Sequence, residues 1–152
     1  MKLPTIITDQ QKLITKCAPT TLKEGERIGE VLKKVLKENK SGVGLAANQI
    51  GINKRVCLIK VDRTIVLVNP TIVQKFGRII FEEGCLSFPG DYISTMRYNS
   101  IAVKADNHKS LLFFHGDGYA KTLECVCVQH EIDHLNGITM YERQAIRGEK
   151  DG

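Results

Sequence analysis

The segment His130-Glu131-Ile132-Asp133-His134 holds two histidines four positions apart, with a glutamate directly after the first. On a helix, residues at that spacing lie about 40° apart around the axis, at roughly 100° per residue. Both imidazoles can then reach one metal ion. The glutamate cannot easily join the same ligand set, but it can reach a water held by the ion, which is the pattern of zinc-dependent hydrolases. The competing reading is a surface helix that carries two histidines and two acids. Val126, Val128 and Leu135 argue against it, because they make the helix apolar on several sides, and buried histidines and carboxylates need partners.

Two imidazoles do not complete a hydrolytic site, which takes three protein ligands and leaves a position open for water. The candidates for the third are five cysteines. Cys127 precedes His130 by three positions and His134 by seven, about 60° and 20° away on the same helical face. Three ligands from one helix would strain a tetrahedral shell, since a side chain seven residues back lies roughly 10 Å along the axis. Cys127 is therefore read as pocket wall. Cys125 projects roughly 140° from His130 and suits core packing, and Cys17 and Cys57 have no metal-like neighbours. Cys85, in Glu82-Glu83-Gly84-Cys85-Leu86-Ser87, follows an expected strand, and Gly84 allows close backbone approach. Alone it is weak evidence for a ligand.

The elements that must position these residues are legible in part. Ile28, Val31, Leu32, Val35 and Leu36 fall on one helical face, which predicts an amphipathic helix from about Glu24 to Asn39, ended by Ser41-Gly42. Runs rich in Val and Ile predict strands at Arg55 to Val61 and Ile65 to Val68, the second broken by Asn69-Pro70. Further strands are expected at Ile72 to Phe81, Ser100 to Ala105 and Leu111 to Phe114. Between Tyr119 and Asn136 the apolar spacing returns to a helical period, and Gly137 is a natural stop. The result is an α+β chain with two principal helices. The segment Gly42-Val43-Gly44-Leu45-Ala46-Ala47-Asn48-Gln49 lacks the spacing of a phosphate loop. It lets another backbone approach closely, or else it is a tight helix-to-strand turn.

Length and composition set outer bounds. With 152 residues, 42% of them apolar and 26% charged, the chain suits one compact domain, 1–152, without repeats or linkers. Its opening stretch is broken by Pro4 and Asp9, so neither a secretory signal nor a membrane span is expected. Five cysteines is an odd count, and Cys125 and Cys127 sit too close on a helix to bridge, so no disulfide framework is expected. A reducing cytoplasm is the expected location. A net charge of +5 raises the question of a polyanionic partner. Lys33, Lys34, Lys37 and Lys40 nevertheless share their helix with Glu24, Glu26, Glu30 and Glu38 and have no interleaved aromatics, which favours a solvated face and no specific nucleic acid.

Taken in order, Gly42-Val43-Gly44-Leu45-Ala46-Ala47-Asn48-Gln49, Glu83-Gly84-Cys85-Leu86-Ser87 and Gln129-His130-Glu131-Ile132-Asp133-His134-Leu135 resemble the three signature motifs of peptide deformylase. Three motifs in the right order and spacing are far more specific than any one of them. The resemblance implies an α+β fold, mainly antiparallel sheet packed around a central metal-binding helix, with a second helix near the N-terminus. It implies a metallohydrolase that removes the formyl group from the N-terminal formyl-methionine of newly made polypeptides. Cys85, His130 and His134 would be the ligands, Glu131 the acid/base, and the Gln49 side chain and Leu86 backbone N–H the oxyanion donors.

By the same resemblance, the peptide would lie as an added strand beside Val43-Gly44-Leu45, close to Gly84. Val43, Phe81, Leu123, Val126 and Cys127 would form the methionine pocket. The implied cofactor is one divalent ion, Fe(II) in the cell, with zinc, nickel or cobalt in purified protein; the ligand set alone does not choose among them. Glu83 and Arg97 match positions of supporting structure, and Asp133 is either a group that orients a ligand or an exposed or capping carboxylate. The expected partners are N-formylmethionyl nascent peptides, and a monomer is expected. Few residues follow His134, where many bacterial relatives continue into a long helix implicated in ribosome docking, so ribosome contact is expected to be at most transient. Two rivals remain. A zinc peptidase would draw a third ligand from downstream, with Glu142 the candidate, and a zinc-stabilised binding module would close the shell with Cys127.

Overall fold

The computed structural model of the chain describes residues 2–146. The apolar stripe of the first predicted helix forms α2, Leu22–Lys37, which starts two residues earlier than expected because the Thr21 hydroxyl accepts a hydrogen bond from the Glu24 amide and caps it. Its buried residues, Ile28, Leu32, Val35 and Leu36, pack with Leu45, Val56, Leu58 and Val68. A one-turn helix, α1, Gln10–Leu13, precedes it.

The strands form two antiparallel sheets of three. The first has the order β1 (Gly44–Ala46), β2 (Val56–Lys60), β3 (Thr64–Val68), with Gly44 opposite Ile59 and Cys57 opposite Leu67. The second has the order β4 (Thr71–Gly84), β5 (Tyr92–Lys104), β6 (Leu112–His115). β4 and β5 make a long hairpin in which Arg97 faces Ile79 and Gly84 faces Tyr92.

Helix α3, Tyr119–Leu135, packs on β1 and β2 of the first sheet and on β5 and β6 of the second. Every residue from Cys125 to Leu135 is buried, so the helix has no solvated face in that half. A short 3-10 turn, Met140–Arg143, follows and packs on β5.

Three departures from the predicted elements matter for the site. Gly42 to Gln49 does not form a tight turn alone: Gly44–Ala46 is a strand and Ala47–Ile50 a 3-10 turn. β4 continues past Phe81 to Gly84, and β5 begins at Tyr92 rather than Ser100. The unpredicted half of β5 alternates as a strand should, but its inward residues are Thr95 and Arg97 instead of apolar ones. Their polar groups are satisfied by Glu83 on β4, a partner that short-range pattern cannot reveal.

Candidate metal centre

One turn of α3 separates His130 from His134, and their Nε2 atoms lie 3.2 Å apart. Cys85 arrives from a different element: β4 ends at Gly84, on which the ring of Tyr92 lies so closely that a Cβ would stand 2.9 Å from it, and the chain then turns, with the Phe88 amide donating to the Cys85 carbonyl at 3.0 Å. That turn puts Cys85 Sγ 3.4 Å from His134 Nε2. The three donor atoms lie within 4.8 Å of one another.

The imidazole of His130 is oriented by Glu83, whose Oε1 lies 2.7 Å from Nδ1. A carboxylate there calls for Nδ1–H as donor and turns the Nε2 lone pair toward the cluster. Arg97 holds both oxygens of Glu83, through Nε at 2.5 Å and Nη2 at 2.9 Å, and the Thr95 hydroxyl donates to Oε2 as well. Burial works to raise the Glu83 carboxyl, but the bonds from His130 and Arg97 outweigh it and bring it down to about 2. Arg97 also donates to Asp133 at 2.6 Å, and Asp133 accepts from Arg143 at 3.0 Å on each oxygen.

The donor set suits a cation. Burial disfavours a proton on either imidazole, yet Glu131, Cys85 and Glu83 pull His130 up, while burial and then the charge of His130 drive His134 down. Two ring nitrogens 3.2 Å apart cannot both be protonated cheaply. His134 Nδ1 and Glu131 Oε1 are buried with no hydrogen-bond partner among the described residues. A thiol and two imidazoles converging in this way are ligands that zinc, iron, cobalt and nickel all accept.

Glu131 lies beside the cluster with its Oε2 3.9 Å from the thiol of Cys127. Its carboxyl is pushed up to about 7 by burial, with Glu83 adding to the effect and His130 opposing it. Gln49, on the 3-10 turn after β1, accepts from the Ala46 amide at 2.9 Å and donates to Ser87 Oγ at 3.1 Å, with the same Nε2 3.7 Å from Cys85 Sγ. Leu86 follows Cys85, and its side chain packs toward the cluster under α2.

These groups open on a cavity of about 610 Å³. Val43 and Gly44 line one side, Phe81 and Gly84 another, and Leu123, Val126 and Cys127 the helix wall. Leu45 does not line it, because its side chain turns away into the cluster under α2. Cys127 stands outside the three-donor group, with its thiol donating to the Val43 carbonyl at 3.5 Å. Glu142, the downstream candidate, lies outside it too and accepts from the Thr139 amide at 3.4 Å. Asp133 is neither exposed nor a cap, but a buried link between two arginines. Sequence reasoning missed Thr95 and Arg143, and it placed Ser87 in the second signature segment without a role, which its bond from Gln49 Nε2 supplies; strand alternation is the signal for Thr95, and nothing local marks Arg143.

The sequence profile described as polypeptide deformylase matches residues 4–150. A peptide deformylase of Neisseria meningitidis (serogroup C / serotype 2a, strain FAM18) is 38% identical over 135 residues, covering 82% of this chain and 78% of the relative. Among solved structures, the peptide deformylase of Thermus thermophilus superposes with a TM-score of 0.81 at 33% identity, over 95% of this chain and 86% of that one. A peptide deformylase of Synechococcus elongatus in complex with actinonin gives 0.81 at 30% identity, over 95% and 80%. Profile, relatives and fold agree over most of the chain's length, and the chain belongs to the polypeptide deformylase family.

Proposed function

We propose that Cys85, His130 and His134 hold one divalent metal ion and that Glu131 is the acid/base of the hydrolysis performed beside it. As a polypeptide deformylase the chain is a hydrolase that removes the N-formyl group from the N-terminal formyl-methionine of new polypeptides and releases formate. The observation that carries the site assignment is the convergence of one thiol and two imidazoles next to a buried carboxylate, with Cys85, His130 and Glu131 lining one cavity. An ion held there supplies Lewis acidity, which makes water acidic enough to serve as nucleophile near neutral pH.

The protein's own groups do the rest. Glu131 accepts a proton from the attacking water as its oxygen bonds to the formyl carbon, then delivers that proton to the amine as the C–N bond breaks. Gln49 Nε2 and the Leu86 N–H donate to the oxygen on which charge develops. The Gln49 carboxamide is held for this by the Ala46 amide and Ser87. β1 is an edge strand of its sheet, so the peptide can pair with Val43-Gly44-Leu45, to which Leu45 contributes backbone alone. Val43, Phe81, Leu123, Val126 and Cys127 receive the methionine side chain, with Phe81 backed by the ring of Tyr119 at 6.0 Å.

Fe(II) is the proposed ion in the cell, with zinc, nickel or cobalt able to replace it, since availability decides occupancy of such a set. Residues 1–152 are proposed as one catalytic domain, a cytoplasmic monomer whose contact with ribosomes is at most transient. No helix among the described residues is long and apolar enough to cross a membrane. On α2, Glu30 pairs with Lys33 and Glu24 with Arg27, in support of a solvated face rather than a nucleic-acid surface. The test is anaerobic formate release from a formyl-methionyl peptide, with metal analysis. About one ion per chain is expected, lost in Cys85→Ala and retained in Cys127→Ala. Cleavage of internal amide bonds without formate would overturn the reaction, and equal dependence on both cysteines would overturn the ligand set.

A further inference from the structure

We infer that Arg143 is a positioning residue for the metal centre, acting through Asp133, Arg97 and Glu83 on the imidazole of His130. The inference rests on the ligand set proposed above. The Arg143 guanidinium straddles Asp133, with Nε and Nη2 each 3.0 Å from one carboxylate oxygen. Asp133 Oδ2 also accepts from Arg97 Nη1 at 2.6 Å. Arg97 turns its remaining donors, Nε and Nη2, onto the two oxygens of Glu83, and Glu83 Oε1 takes His130 Nδ1 at 2.7 Å. Charges alternate without a gap from Arg143 to the ring whose other nitrogen faces Cys85 and His134.

The charge count shows why the outer member matters. Two buried carboxylates, Glu83 and Asp133, face a single buried guanidinium, Arg97; their side chains are 4%, 11% and 3% exposed. Arg143, 43% exposed, is the second cation that balances them. Without it, Asp133 competes with Glu83 for Arg97, and a guanidinium drawn toward Asp133 loosens its two-point hold on Glu83. Glu83 then no longer fixes the tilt and tautomer of His130, which sets how well Nε2 meets an ion.

The placement of Arg143 adds a second link. It ends the turn Met140–Arg143, in which Met140 is buried with Phe88 in a cluster that packs against Cys85, and Tyr141 stacks edge-on to Phe88 at 5.0 Å while its hydroxyl donates to Asp91. The same four residues grip the loop that carries Cys85 and the helix that carries the histidines. Their relative placement is what ion retention depends on.

The experiment is release of Ni(II) from the loaded chain into excess chelator, with unfolding of the stripped protein measured alongside. Arg143→Ala is compared with Arg143→Lys, with Glu83→Gln, which takes away the negative charge that faces His130, and with Arg63→Ala. Arg63 makes a similar two-point contact with Glu124 on α3, at 3.2 and 3.3 Å, but outside the site. Loss of a partner directly behind a ligand weakens metal binding about 10- to 100-fold. Arg143, four contacts from His130, is expected to speed release about 3- to 10-fold. Arg143→Lys, which keeps the charge without the fork, should restore part of the difference, and Arg63→Ala should match the wild type. A structural role alone would lower the unfolding temperature of the stripped Arg143 and Arg63 variants alike and leave release unchanged. Release from Arg143→Ala at the wild-type rate overturns the inference, as does normal release from Glu83→Gln. If Arg143→Ala does not fold, Arg143→Lys decides by whether its release is faster than wild type. A wild-type chain that takes up no Ni(II) brings down the ligand assignment itself, a different result from wild-type binding that Arg143 does not influence.

Discussion

Glu131 is 3% exposed, and among the described residues the only hydrogen bond to its carboxylate comes from a thiol, a weak donor. In the metal-free chain burial, chiefly, pushes its carboxyl up to about 7, where a carboxyl can both hold and release a proton near neutrality. Glu131→Gln keeps the shape and removes the acceptor. Turnover is expected to fall by about 10² to 10⁴, with metal content by elemental analysis unchanged; turnover at the wild-type rate would remove Glu131 from the reaction. The same group sets a pH dependence in the metal-stripped protein. A carboxyl whose folded value, about 7, lies above its ordinary 4.5 adds no penalty below pH 4.5 and destabilises increasingly as pH rises through 7. Denaturant unfolding of stripped wild type and stripped Glu131→Gln should therefore show the variant gaining on the wild type between pH 5 and pH 8. A gap of constant size across that range would mean the carboxylate is not strained by its surroundings.

At the scale of elements, the site depends on how closely β1 passes α3. A Cβ on Gly44 would stand 2.5 Å from Cys127 Sγ and 2.6 Å from Glu131 Oε2, and both neighbours are themselves buried. Gly44→Ala must displace the carboxylate or the strand. A loss of about 1 to 3 kcal/mol in stability is expected, together with a lower kcat at unchanged metal content; wild-type kcat would show that the contact relaxes without moving Glu131. The sequence announces some of this geometry and hides the rest for physical reasons. α2 is legible because its apolar residues repeat with a helical period, α3 because a long run without strand breakers ends at Gly137, and rotation about the axis alone places Cys127 beside the two histidines. Spacing does not select Cys85, because it reaches His134 from 49 residues away, around a hairpin, and only the resemblance of three segments singles it out. β1 is three residues long, too short for a period to show. The first half of β5 is hidden because Thr95 and Arg97 occupy positions where a strand normally turns apolar residues inward, their burial made tolerable by Glu83 on the neighbouring strand.

For the molecule as a whole, α3 is both the core and the site. Its buried half carries Gln129, His130, Glu131, Asp133 and His134 where another protein would place aliphatic side chains, and it packs on strands of both sheets. Each of these polar groups lowers stability unless it is matched. Gln129 is matched by the backbone of Tyr98, and Asp133 by two arginines. The histidines face each other and Cys85, so the proposed ion completes their matching and also joins the end of β4 to α3. It should then act as a structural tie as well as a catalytic one. A ligand at a thousand times its dissociation constant adds about 4.1 kcal/mol to the folded state. In a domain of this size about 1 kcal/mol moves the midpoint by roughly 2 to 4 °C or somewhat more. Removal of the ion by chelation is expected to lower the unfolding temperature by about 10 °C on that scale, and Cys85→Ala, with one of three ligands gone, should unfold at the same temperature with or without added metal. Equal unfolding temperatures for loaded and stripped wild type, with the ion verified in one and absent in the other, would mean that the described contacts alone hold α3 against the end of β4, and that the ion contributes chemistry without cohesion.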